Sequence, residues 1–391
     1  MKIADVDCFV CRAPLSKPIW SIQPWREGYM RVAHFIESVI VKISSSDGLE
    51  GYGQAVGVRF HGPDILFIGS GCEKLVDEIV SPKIRGESYF DNEVLWRRLH
   101  GALKDKAYGR TVLSAVDVAL WDLKGKALGV PVYRLLGGAY RKKIRLYASK
   151  VPGIANINDE EEINVLAERL KDLREKGYTS FKIGGGLGVE ADVESVRVAR
   201  ETVGAECKIM LDTACVYSFK DALRLGRSLQ DLDVEWFETP SPAYDMESYV
   251  KLSRELDVKI ATDAHPEPGQ ICRLLSKGGI DVVLSDVTAG GGITVSKRIV
   301  ELTDLYNVEF STHVGWHVSA VGYAASAHLS ASAPNLNFQE GRIHFKDNPL
   351  GNPILKTPLK IEDGYLYVPD GAGLGIEVDE EVLMKYRIES T

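Results

Sequence analysis

Residues 208–239 read KIMLDTACVYSFKDALRLGRSLQDLDVEWFET, from Lys208 to Thr239, and this stretch decides the architecture. A short apolar run, Lys208 to Thr213, contains Asp212 at its end; an amphipathic segment follows; a second run, Val234 to Thr239, contains Glu238 at its end. Short β-rich runs alternating with amphipathic helices are the pattern of parallel strands joined by crossover helices. Both runs deliver a carboxylate to the same kind of place, the carboxyl end of a strand.

The same rhythm extends in both directions from this unit. Its other runs are Ile144 to Lys150, Ser180 to Gly184, Lys259 to Ala264, Val282 to Val287, Glu309 to Val314 and Leu336 to Glu340, which makes eight in all. The first intervening helix has recognisable ends, with Asn158 or Asp159 as N-cap and Gly177 just past its last turn. Eight units favour a closed barrel over an open sheet. Upstream, Ile3 to Arg12, Ser38 to Ser44 and Leu49 to Gln54 pattern as a β meander with Asp47-Gly48 as a hairpin turn. Helical spacing follows over Cys72 to Ser81, Asn92 to Leu103 and Ser114 to Leu128, where Gly129-Val130-Pro131 stops the last helix. The tail, Ile361 to Val368 around Asp363-Gly364, patterns as a hairpin expected to rejoin the amino-terminal meander. The expected fold is α/β, a (β/α) TIM-type barrel with an α+β capping domain. Residues 1–125 form the cap, 126–357 the barrel, and 358–391 complete the cap.

Composition narrows the function. With 391 residues, 45% hydrophobic and 26% charged, the chain can bury more than one core. A net charge of -8 argues against a nucleic-acid or anionic-membrane surface, which needs a basic field. Six scattered cysteines do not make a disulfide framework, and the lone pair Cys8 and Cys11 lies in what reads as the opening strand. Met1 to Asp7 alternates like a strand rather than a signal peptide, so a cytoplasmic protein is expected. No run has the length and apolarity of a membrane helix.

The strand ends carry the chemistry. In order they present Lys182, Asp212, Glu238, Asp263, Asp286, His313 and Glu340, separated by 30, 26, 25, 23, 27 and 27 residues, each about one βα unit. All seven are therefore expected at one mouth. Three clustered carboxylates, Asp212, Glu238 and Asp263, repel one another unless a cation sits between them, and an all-oxygen set suits Mg²⁺ better than zinc. A single strand-end acid would more simply cap a helix or pair with a lysine. Three in phase point to a metal.

Longer motifs then bring a family into view. Ser114 to Lys126 (SAVDVALWDLKGK), Gly129 to Gly138 (GVPVYRLLGG), Phe181-Lys182-Ile183-Gly184, Glu238-Thr239-Pro240, Gly291-Gly292-Ile293-Thr294 and Pro369 to Gly375 (PDGAGLG) resemble mandelate racemase and its relatives in the enolase superfamily. The resemblance covers nearly the whole chain. It implies that Asp212, Glu238 and Asp263 bind Mg²⁺, that Lys182 is one acid/base, and that His313 supported by Asp286 is the other. It also implies that Glu340 hydrogen-bonds the substrate, a small carboxylate, and that relatives assemble into dimers to octamers. The reaction implied is removal of the proton beside a carboxylate, feasible only where the resulting enediolate is stabilised; the superfamily is itself a worked case of Lys or His bases acting with Mg²⁺.

Departures from the family pattern matter as much. Most relatives carry a second lysine two residues before the catalytic one, where this chain has Ser180; Lys150, at the end of the neighbouring first strand, is the candidate to supply that charge. Asp263 stands where the racemase-like branch usually has Glu. The segment around Trp20 and Arg26 and the loop with Arg59 and His61 match the family's two lid loops, and His265 lies beside the third metal position. Glycine runs at 184–188 and 290–292 lack the spacing of a dinucleotide fingerprint or a P-loop lysine. Among superfamily outcomes, dehydration of a sugar acid is favoured over racemisation, epimerisation or cycloisomerisation. A ligand-binding or structural barrel without catalysis is the rival from another class.

Overall fold

A computed structural model describes the backbone except residues 23–29, 62–63, 264–266, 316, 343–344 and 390–391, and the side chains except those and residues 17–32, 58–66, 150 and 346. The amino-terminal sheet is an antiparallel meander of β1 (Ile3–Ile22), β2 (Met30–Ser45) and β3 (Glu50–Val56), with a small hairpin of β4 (Val58–His61) and β5 (Asp64–Phe67) beside it. Strands β1 and β2 run well beyond Arg12 and Ser38, where the sequence pattern placed their ends. The ladder between them shifts register between Pro14 and Ile19, where a bulge spares proline the hydrogen bond it cannot donate.

The helix Gly109–Leu128 packs on β3, and Gly53 allows the close approach. A Cβ at Gly53 would stand 1.9 Å from the Ala115 carbonyl oxygen. Gly129 ends the helix in the left-handed conformation, φ 66°, as its place in the sequence required.

The eight runs become β6 (Lys143–Val151), β7 (Ser180–Gly184), β8 (Lys208–Asp212), β9 (Trp236–Glu238), β10 (Lys259–Thr262), β11 (Val282–Ser285), β12 (Glu309–Thr312) and β13 (Leu336–Arg342). Each pairs in parallel with the next, and β13 pairs β6, so the barrel closes. Alternation sends Tyr147, Met210, Trp236, Ala261, Val282, Leu284 and Phe338 into a buried plug inside it, while Phe181, Ile183 and Phe310 face the outer helices. In the tail, β14 (Ile361–Glu362) and β15 (Tyr365–Tyr367) form the expected hairpin, but β15 pairs antiparallel with β6 rather than with the meander. The start of β6 leaves an edge free below the barrel, and the hairpin covers it. The end of the chain does reach the cap, where Ile388 N–H donates to Val10 O at 2.9 Å.

Buried polar contacts clamp the cap to the barrel. Asp117, on the cap helix, accepts from the Thr294 N–H at 2.9 Å and hydroxyl at 2.6 Å, thereby capping the helix Ile293–Leu305 from outside. This explains the glycine before it: a Cβ at Gly292 would stand 2.3 Å from the Asp117 carboxylate, and φ there is 91°. Gln54 Oε1 likewise accepts from the Ser319 N–H and hydroxyl at 2.8 and 2.7 Å. Thus the cap braces the loop that follows β12.

His328 lies wholly buried on the helix Ala320–Ser332, its Nδ1 accepting from the Tyr133 N–H at 3.2 Å. Burial pushes its pKa down to about 4. The native state thus prefers the neutral ring, and its stabilising contribution is complete above the unfolded value of about 6.5 and lost as pH falls through 4. The whole effect is on the order of 3 kcal/mol. Urea unfolding at pH 7 and pH 4 should show a steeper loss of stability in the wild type than in His328→Gln.

Candidate active site

Strand register brings the seven strand-end groups into one connected network. Lys182 Nζ lies 2.9 Å from Glu238 Oε1, 3.4 Å from Glu340 Oε1 and 3.6 Å from Asp212 Oδ2. His313 Nδ1 is 2.9 Å from Asp286 Oδ2, and its Nε2 is 3.4 Å from Asp263 Oδ2 and 3.6 Å from Glu340 Oε2. Glu340 joins the two halves. Spacing alone had predicted this convergence.

The His313 ring is held from behind. Asp286 accepts from the Thr288 N–H and hydroxyl at 2.7 Å through Oδ1, and from the Gly315 N–H at 3.2 Å through the oxygen that faces His313. A carboxylate fixed this way selects the ring orientation in which Nε2 points to the mouth. Burial lowers the His313 pKa, but Glu340, Asp286 and Asp263 together outweigh it and raise the pKa to about 9.

Depth separates the groups. Gly184 of β7 pairs Asp212, which pairs Glu238, whereas Lys182 pairs Met210 of the apolar plug. The lysine therefore stands one inward position below the end of its strand, and only 4% of it is exposed. Burial would lower its pKa; Glu238, Glu340 and Asp212 outweigh that and hold it firmly charged. Ser180, two residues deeper on the same face, is fully buried with no hydrogen-bond partner for its hydroxyl. Alternation thus buries Ser180, which stands where most relatives carry a second lysine, beneath Lys182.

Glu340 is held from several sides. It is fully buried, and its oxygens accept from the Ser149 hydroxyl at 2.5 Å and the Val314 N–H at 2.8 Å, with Arg342 Nη2 at 3.1 Å. Burial would raise its pKa, but Arg342, Lys182 and His313 hold it well below the usual carboxylate range. It organises charge under the mouth, between Lys182 and His313. The residue above it on β13 is Arg342, which the sequence reading missed although period-two alternation from Glu340 would have found it. Arg342 also bonds the Val314 carbonyl and the Ser149 hydroxyl. Truncating one member of such a buried pair costs about 3–5 kcal/mol. Arg342→Met should lose that much stability in urea unfolding.

The third group is the acidic trio. Asp212 Oδ1 accepts from the Ala214 N–H at 3.0 Å and the Thr239 hydroxyl at 2.9 Å, and Glu238 Oε2 from the Trp236 indole at 2.9 Å. Ala214, Cys215 and Thr239 all have positive φ, 50°, 66° and 43°, so strain of about 1–3 kcal/mol per residue is stored beside these two acids. Burial, then the charges of Asp212, Asp263 and Glu340, push the Glu238 carboxyl up against the pull of Lys182. That is the condition of a cluster short of positive charge. Carboxylates stand at the ends of three consecutive strands, and a donor set of oxygens fits a hard divalent cation. Among the described residues no three acids stand close enough together to hold a metal ion, and Lys182, Trp236, Ala214 and Thr239 bond the oxygens of Asp212 and Glu238.

Of the remaining expectations, Lys150 lies near the end of β6, Trp20 in β1, and Arg59 and His61 in β4, but their side chains, with Arg26 and His265 entirely, lie outside the described residues. All six cysteines are free, and no described helix is long and apolar enough to cross a membrane.

Comparison with known proteins agrees with this geometry. The family profile of the mandelate racemase / muconate lactonizing enzyme N-terminal domain matches residues 15–137, and that of the enolase C-terminal domain-like fold matches 165–382. D-galactarolactone cycloisomerase of Agrobacterium fabrum is 28% identical over 90% of this chain and 91% of its own. Arabinonate dehydratase of Saccharolobus solfataricus is 29% identical over 91% and 92%. Among solved structures, the 3,6-anhydro-D-galactonate cycloisomerase of Zobellia galactanivorans superposes with a TM-score of 0.80 at 27% identity, covering all of both chains.

Proposed function

The chain belongs to the mandelate racemase / muconate lactonizing enzyme family of the enolase superfamily, and from that premise we propose that it is a Mg²⁺-dependent dehydratase of a sugar acid. The observation that carries this reading is the His313–Asp286 pair, whose Nε2 comes within 3.4 Å of the acidic trio. A proton beside a carboxylate is too weakly acidic to leave unless charge on the carboxylate oxygens is stabilised as it forms. Asp212, Glu238 and Asp263 would hold Mg²⁺, which supplies that Lewis-acid stabilisation when bound.

The chain's own residues do the rest. Asp286 orients the imidazole, and His313 in its neutral form takes the α-proton. Loss of the β-hydroxyl as water then gives an enol, which becomes a 2-keto-3-deoxy acid. Lys182, which the resemblance makes an acid/base, is locked among Glu238, Glu340 and Asp212, and in this reading it keeps the carboxylate-rich floor from repelling an anionic substrate. Cycloisomerisation is the second reading, favoured by the two cycloisomerase relatives. It shares the first step and differs in which β-oxygen departs or re-adds.

Incubating five- and six-carbon aldonic and aldaric acids, with their lactones and anhydro forms, with Mg²⁺ in deuterated buffer tests the proposal. A new 2-keto acid is expected. Deuterium at the α-carbon of recovered acid with no keto product would instead mean epimerisation, and silence across the panel with no Mg²⁺ binding would favour a non-catalytic barrel.

A further inference from the structure

Two inward positions of β7 lie near the mouth, Lys182 and Gly184, and the ladder decides which one stands level with the acids. Gly184 pairs Asp212 and is exposed, whereas Lys182 pairs Met210 and is 4% exposed. The lysine ammonium is engaged by three carboxylates within 3.6 Å, and its position under Gly184 keeps it at the floor. Nothing in the backbone demands a glycine above it. Gly184 is not among the positive-φ residues, and a Cβ there would meet one atom within 4 Å, the Val151 carbonyl oxygen at an ordinary 3.6 Å. The missing side chain relieves no clash. Among the described residues it leaves open space at the level of Asp212, three strands round the barrel from His313.

We infer that Gly184 makes this site one-sided: the space over Lys182 receives the hydroxylated chain of the substrate, and His313 alone serves the α-carbon, from a single face. This rests on the dehydratase reading and sharpens it. His313 takes the proton from C2 and returns it to the departing C3 hydroxyl. The C2–H and C3–O bonds break, a C2=C3 double bond forms, and hydroxide leaves with that proton as water. The enol then gives up its hydroxyl proton and gains one at C3, so that the net change is loss of one water with no oxidant or reductant. Proton and hydroxyl leave from the same face, and no second group exists on β7 to return a proton to the other face of C2. The enzyme is thereby specific for one C2 configuration and makes no epimer.

The test uses the full-length protein with MgCl₂ and D-arabinonohydroxamate, a hydroxamate that mimics the charge of the enediolate. In calorimetry, Gly184→Leu should weaken hydroxamate binding at least tenfold, with Gly184→Ala between it and the wild type, while Mg²⁺ affinity and melting temperature stay in place. In deuterated buffer, whichever acid of the panel is turned over should be recovered with its C2 configuration intact and give product carrying one deuterium at C3. Unchanged hydroxamate affinity in Gly184→Leu, or deuterated C2 epimer in the recovered acid, overturns the inference while the dehydratase reading stands. Failure of the wild type to bind both Mg²⁺ and the hydroxamate overturns both.

Discussion

His313→Asn should lower kcat by about three orders of magnitude, the middle of the range for losing a positioned proton-transfer group. The size follows from the site's asymmetry. Lys182 is buried one position lower, so no described side chain stands ready to replace the imidazole. Asparagine keeps a polar contact to Asp286, and the acidic trio is untouched, so Mg²⁺ affinity by calorimetry should fall little. Equal loss of kcat and kcat/KM marks an interaction made in the transition state. A variant that retained wild-type kcat would require another residue to take the α-proton, and Lys150 would be the first to replace. Asp286→Asn should be milder, because it leaves the ring in place but removes the charge that fixes its orientation.

The second large effect is on the metal. Asp212→Asn should weaken Mg²⁺ binding by at least about 100-fold, since even residues that merely support a ligand contribute 10–100-fold. Activity should fall in parallel and recover partly at high Mg²⁺, whereas His313→Asn should not recover. Stability should move the other way from affinity. Lys182 stands among Asp212, Glu238 and Glu340, and Asp212, Asp263 and Glu340 all act against the charge on Glu238, so removing one negative charge relieves repulsion. A melting temperature equal to or above that of the metal-free wild type is expected. A large drop would mean that Asp212 is chiefly a structural partner of Thr239 and Ala214.

These two substitutions address residues that were legible before any coordinates. The spacing of about one βα unit put Asp212, Glu238, Asp263, Asp286 and His313 at one mouth because each barrel strand ends on the same side and alternate residues point inward. The same rule applied within a strand was not pushed far enough. It would have set Gly184, not Lys182, level with Asp212, and would have named Arg342 above Glu340. Counting between strands gave phase; counting within β7 and β13 was needed for depth.

What the sequence by itself determined is the barrel, its cap and the inventory of charged strand ends, since hydrophobic period and strand-end position are local properties of the chain. Only the tertiary structure decided which of those charges lies at the mouth and which is buried in the floor. Whether Lys182, Ser180 and Glu340 lie at the rim or beneath it depends on the stagger between neighbouring strands and on partners such as Ser149, Val314 and Arg342 from distant segments. Those partners meet only when the sheet closes on itself.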